Sequence, residues 1–179
     1  EGYVKDEIRL PKVKQPHTII SPLNPSQMKA ILHSYDTKTY LGIRNYTIVR
    51  LFLDTGMRLS ELSKLRLSEV NLEEGFVLVH GKGAKDRYVP IGRSTIKCLW
   101  NYIKKRAVID VNTNSYLFLT RRGTRLSARG IQIVFRSLKK KLNLDGRKLS
   151  PHLLRHSFAL AYIENGGDPF SLQRILGHT

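Results

Sequence analysis

Apolar residues recur at helical spacing along most of this chain, and the rhythm changes once, between residues 76 and 91. Spacings of three and four residues put side chains on one face of a helix, whereas alternate residues share a face of a strand. Ile96, Leu99, Trp100, Ile103 and Ala107 fall at i, i+3, i+4, i+7 and i+11. Ile131, Val134, Phe135, Leu138 and Leu142 repeat the pattern behind a capping Ser127. Upstream, Asn24-Pro25 supplies an N-cap and a proline at the first helical position, leading into Met28, Ile31 and Leu32. A longer helix is expected from Tyr40 to Thr55, with Leu41, Ile48, Leu51 and Phe52 in the core and Gly56 as its stop. A short helix over 59–65 follows. Ser150-Pro151 opens another helix to about Asn165, halted by Gly166-Gly167, and a last one runs from Asp168-Pro169 to Gly177.

Within the exceptional stretch, residues 76–80 and 87–91 form two short apolar, β-branched runs joined by Gly81-Lys82-Gly83-Ala84-Lys85-Asp86, the pattern of a β-hairpin. Leu117-Phe118-Leu119 is a further short strand candidate. The expected class is mainly α (α+β): a helical bundle with a small antiparallel sheet. Residues 1–22, with Lys5, Arg9, Lys12 and Lys14 around Pro11 and Pro16, lack periodicity and read as an interdomain linker. Residues 23–179 read as one domain, long enough to bury a sizeable core.

Charge narrows the partner. The chain carries 31 Lys+Arg against 14 Asp+Glu, a net +17. Residues 82–148 hold 18 basic and 3 acidic residues, a net +15, while the remainder holds 13 and 11, only +2. With 41% hydrophobic residues, this is no disordered basic tail. An excess confined to one internal block points to a polyanion-binding face, nucleic acid being the commonest such partner; a merely solvated face is the alternative. No run approaches the roughly 18 apolar residues of a membrane span, and no signal-peptide core is present. The single cysteine, Cys98, excludes an internal disulfide and suits a reducing cytoplasm.

Four positions invite chemistry. His152 and Arg155 are three apart near the start of one helix and share a face. With His156 and His178 the pair could suggest zinc, but Leu153 stands where a zinc protease carries its glutamate, and Arg155 repels a dication. No metal or cofactor is expected. Anion chemistry suits these residues better, because a guanidinium binds phosphate oxygens bidentately and a histidine beside it can move a proton. Arg58, just after Gly56-Met57, begins a helix and could reach a cleft mouth, or be a surface residue. Lys82, flanked by glycines, could neutralise a phosphate or deliver a proton. The loop is not a Walker A motif.

Taken together, Thr55-Gly56-Met57-Arg58-Leu59-Ser60-Glu61-Leu62, His80-Gly81-Lys82-Gly83-Ala84-Lys85-Asp86-Arg87, Pro151-His152-Leu153-Leu154-Arg155-His156-Ser157-Phe158-Ala159 and Leu176-Gly177-His178-Thr179 resemble the catalytic domain of tyrosine recombinases, the phage-type integrases. The resemblance covers about residue 20 to the end. It implies double-stranded DNA as partner, other protomers in a synaptic tetramer, and cleavage through a 3′-phosphotyrosyl link without metal or cofactor. By resemblance, Arg58 and Arg155 clamp the non-bridging oxygens of the scissile phosphate, and Lys82 protonates the leaving 5′-oxygen. His152 assists deprotonation of the tyrosine, and His178 bonds a phosphate oxygen. Glu61 fits a structural role.

The sequence departs from the family pattern in one respect. The nucleophilic tyrosine follows the Leu-Gly-His block by roughly nine residues in the family, beyond Thr179. None of the eight tyrosines present lies in that context, and Tyr88 and Tyr162 read as packing residues. The chain is therefore expected to be a fragment, inactive alone, of a recombinase that integrates or excises DNA. A non-catalytic DNA-binding relative and, more distantly, a type IB topoisomerase are the alternatives.

Overall fold

The computed structural model describes residues 21–81, 86–110, 115–142 and 149–177. The expected linker, apart from its last two residues, together with Lys82 and His178, lies outside them. The helices are α1 (Pro25–His33), α2 (Tyr40–Thr55), α3 (Leu59–Lys64), α4 (Arg93–Ile109), α5 (Ala128–Lys141), α6 (Pro151–Glu164) and α7 (Pro169–Leu176). Between α3 and α4 lie a 3-10 turn, Leu67–Glu69, and the strands β1 (Val70–Asn71), β2 (Phe76–His80) and β3 (Asp86–Pro90). A mainly helical domain with a small antiparallel sheet is what the periodicity predicts.

Helix starts follow local chemistry. Asn24 and Gln27 form a reciprocal capping box at α1, with Oδ1 of Asn24 accepting from the Gln27 N–H at 2.8 Å. Ser127, Ser150 and Asp168 each accept an orphan N–H at the first turn of α5, α6 and α7. Helix α2 is buried on more than one side, through Ile43, Thr47, Ile48, Val49, Leu51, Phe52 and Thr55, and packs against both α4 and α6. Phe52 meets Phe135 of α5 edge-on at 5.7 Å between centroids.

At Gly56 the chain leaves α2 with φ 58°, a left-handed conformation that favours glycine. A Cβ there would lie 2.4 Å from the Phe158 ring of α6. Gly56→Ala is therefore expected to cost about 2–5 kcal/mol, left-handed strain plus overpacking, read as a lower urea midpoint at unchanged slope.

Three expectations need correction. The hairpin gains a third strand: β1 pairs with β2 antiparallel, Val70 opposite Val77, and β2 pairs with β3, Phe76 opposite Pro90 and His80 opposite Asp86. Strand β3 also starts one residue earlier than expected. The buried face of α4 is Thr95, Cys98, Leu99, Tyr102 and Arg106, so that Trp100 and Ala107 face solvent while Ile96 and Ile103 are half-buried. Residues 117–119 form no strand, although all three side chains are buried; isolated bridges at Tyr116 and Leu119 tie their neighbourhood to Arg66 and Arg125.

The last two corrections share one cause. The Tyr102 hydroxyl donates to the Leu117 carbonyl and accepts from the Leu119 N–H, both at 3.1 Å. Arg106 donates to the carbonyls of Leu117 (3.0 Å) and Tyr116 (2.8 Å) and pairs with Asp110 at 2.7 Å. Polar side chains of α4 thus satisfy backbone that a sheet would otherwise satisfy, which draws them inward. Tyr88, expected as packing, meets the Phe76 ring edge-on yet is 67% exposed.

Candidate active site

The turn after α2, the start of α3, the first turn of α6 and the end of α7 converge. Arg58 occupies the N-cap of α3 with extended backbone, φ −77° and ψ 153°. Its N–H donates to Oε2 of Glu61 at 2.6 Å, and its Nη1 donates to Oε1 at 3.1 Å. Its Nη2 donates to the Gly177 carbonyl at 3.1 Å. Arg155, one helical turn after His152, donates from Nη1 to the Gly56 carbonyl at 2.6 Å and from Nη2 to the Leu176 carbonyl at 2.8 Å. Each guanidinium is thereby pinned on fixed carbonyls. Gly56 and Gly177, whose carbonyls accept from these guanidiniums, both have left-handed backbone, with φ 58° and 65°.

Arg58, His152 and Arg155 line one cleft of about 460 Å³, together with Met57, Leu59, Gln132, Ser150 and Pro151. His152 is exposed, Arg155 half-buried, and the Arg58 side chain 41% accessible, so the cleft offers positive charge to solvent-borne anions. Burial, and then the neighbouring charges of Arg58 and Arg87, push the Arg155 guanidinium down to about 10, with Glu61 opposing them. It stays charged at neutral pH. His156, by contrast, is exposed and does not line the cleft.

Glu61 is the buried counter-charge. Its oxygens accept from Arg87 of β3 at 3.0 and 2.9 Å as well as from Arg58. Burial alone would raise this carboxyl, but hydrogen bonds from Arg87 and from the Arg58 backbone outweigh it and hold the group below its ordinary range. Sequence reading missed Arg87, Gln132 and Ser150 as site neighbours. Arg87 stands 26 residues from Glu61, and no local spacing marks so distant a pair. Gln132 could have been found only as a polar residue next to the apolar stripe of α5.

The basic block divides into exposed and internally paired residues. Arg93, Lys97, Lys104, Arg121, Arg122, Arg129, Arg136, Lys140 and Lys141 are exposed. Arg87 and Arg106 instead serve internal pairs. Arg125 lies 4.4 Å over the Tyr116 ring and donates to the Ser63 carbonyl at 2.9 Å.

A family model described as the phage integrase family matches residues 22–179. The chain belongs to this family. It is 39% identical over 171 residues to tyrosine recombinase XerC of Bacillus pumilus, covering 93% of this chain and 56% of that protein. Among solved structures, XerA recombinase aligns with a TM-score of 0.81 at 34% identity, covering 92% of this chain and 58% of that one. XerH site-specific recombinase, bound to its difH substrate in a pre-cleavage complex, aligns with a TM-score of 0.74 at 28% identity, covering 88% and 47%. This phage integrase family chain thus spans little more than half the length of the curated relatives it matches.

Proposed function

We propose that residues 23–179 are the catalytic domain of a site-specific DNA recombinase, with residues 1–22 as an interdomain linker. The observation that carries the reading is the convergence of Arg58, Arg155 and His152 on one open cleft. The family membership and the substrate-bound state of XerH support it.

In this reading the scissile phosphate enters the cleft and its non-bridging oxygens meet the two guanidiniums. A tyrosine oxygen attacks phosphorus, the new O–P bond forms as the bond to the 5′-oxygen breaks, and the phosphotyrosine stays on the 3′ side. His152 takes part in removing the tyrosine proton, Lys82 gives a proton to the leaving 5′-oxygen, and His178 bonds a phosphate oxygen. The last two roles rest on the motifs alone. Preorganised cations stabilise the charge that develops on the pentacoordinate phosphorus. Reversal by the 5′-hydroxyl of another strand rejoins DNA, so the phosphodiester energy is retained in the intermediate. No tyrosine is among the cleft's lining residues.

The partners are double-stranded DNA and further protomers, four of which make a synapse in which strands of two duplexes are exchanged. The exposed arginines and lysines of the 82–148 block contact the DNA backbone. No helix among the described residues is long and apolar enough to cross a membrane, and the proposed place of action is the cytoplasm, with the DNA.

The test is covalent capture. Full-length protein is incubated with a duplex nicked near its recombination site, so that the short cleaved piece diffuses away. A protein–DNA adduct through a 3′-phosphotyrosine is expected. A 5′-linked adduct, or none on any site that the protein binds specifically, would contradict the proposal.

A further inference from the structure

Arg87 is absent from the cleft, yet it reaches two of the elements that build it, α3 and the end of α7. It stands on β3, five residues beyond Lys82, and is half-buried. Its Nε donates to the Ile175 carbonyl of α7 at 2.7 Å, and its other two nitrogens grip both oxygens of Glu61 at 3.0 and 2.9 Å. The guanidinium also lies under the turn that ends α7, where a Cβ on Gly177 would come within 3.0 Å of it.

Glu61 therefore has two claimants. Each of its oxygens serves Arg58 once and Arg87 once, which accounts for the roughly four acceptor sites of a carboxylate. The planar Arg87 fork sets the tilt of the carboxylate, because two parallel N–H bonds leave it no rotation. With Arg87 in place, Arg58 gives Glu61 a single side-chain nitrogen and keeps its second for the Gly177 carbonyl at the cleft. Without Arg87, Glu61 is free to take the whole Arg58 fork, turning it into a closed ion pair withdrawn from any incoming anion. Arg58, Arg87 and Arg155 against Glu61 leave a local charge of 3 − 1 = +2, which removal of Arg87 would halve.

We propose that Arg87 is a positioning residue of the phosphate clamp: anchored on the α7 backbone, it holds Glu61 so that Arg58 stays open to the scissile phosphate. The inference rests on the recombinase reading above. It assigns Arg87 no contact with substrate. An ordinary fold-stabilising ion pair would have the same distances, so the test must separate position from stability.

Cleavage rate at saturating protein and DNA affinity are measured on the nicked duplex with the full-length protein and its Arg87→Gln and Arg87→Lys variants, each alone and combined with Arg58→Ala. Arg87→Gln is expected to slow cleavage by about 10–100-fold, the usual effect of losing a residue that orients a reacting group, with affinity within about threefold. Arg87→Lys keeps the charge but not the fork, holds the fold, and is expected to stay impaired by about tenfold or more. In the Arg58→Ala background either change should add less than about threefold, because the residue through which Arg87 acts is gone. Wild-type cleavage by Arg87→Lys, or an equal loss with and without Arg58, would overturn the proposal. Absence of any adduct with the unsubstituted protein would overturn the recombinase reading itself, and this inference with it.

Discussion

Arg155→Ala is expected to slow DNA strand cleavage by about 10³-fold or more while weakening DNA binding by less than about tenfold. The split follows from geometry. Arg155 is held by the Gly56 and Leu176 carbonyls at 2.6 and 2.8 Å, so its guanidinium is oriented before any phosphate arrives. A preorganised charge pays no reorganisation at the moment of attack, and it favours the transition state, where negative charge on the phosphoryl oxygens grows. In the proposed function, affinity is spread over many backbone contacts from the exposed basic residues, of which Arg155 would contribute one at most. The measurement is a single-turnover cleavage time course beside a binding isotherm at the same salt. Equal losses in both would mean that Arg155 is a binding residue only.

Glu61→Gln should have the second-largest effect, and on stability first. The substitution faces Arg58 and Arg87 with an amide that has one acceptor oxygen and an NH₂ group repelling their donors. Breaking a buried pair in this way costs about 3–5 kcal/mol, because cations stay buried without their counter-charge. For a domain of this size the thermal midpoint should fall by roughly 6–20 °C. Acid behaviour is part of the same expectation. A carboxyl held below its unfolded value adds stability that is fully present above the ordinary carboxylate range and is lost as pH falls through the lower, folded value. The unsubstituted protein should therefore lose stability in acid more steeply than Glu61→Gln, and the two curves should approach each other at low pH. Parallel curves would show that Glu61 carries no such linkage.

Most of the helices were legible in the chain because caps and apolar spacing are local signals. Asn24-Pro25, Ser127, Ser150-Pro151 and Asp168-Pro169 each mark a start that the fold uses, and Gly56 and Gly177 mark left-handed stops. What escaped was made by distant partners. Tyr102 and Arg106 turn inward only because the 116–119 backbone needs their hydrogen bonds, which no periodicity in α4 reveals. β1 is two residues long and exists as a partner for β2, too short to alternate. In the site, Arg58, His152 and Arg155 were readable from their motifs, and the fold brings them to one cleft. The tie from Arg87 through Glu61 to Arg58 was not, since it joins a strand to a helix start across 26 residues. Lys82 and His178 lie outside the described residues, and their roles still rest on motif alone.

The central claim is that Arg58 and Arg155 act on the charge of one scissile phosphate. Replacing a non-bridging oxygen of that phosphate by a methyl group removes the charge and leaves the bond to be broken. Cleavage of the two substrates by the unsubstituted protein and by Arg155→Ala measures the claim directly. The loss of about 10³-fold on phosphate should shrink to less than about tenfold on the methylphosphonate, since no anionic oxygen then remains to be neutralised. The same loss on both substrates would contradict the clamp.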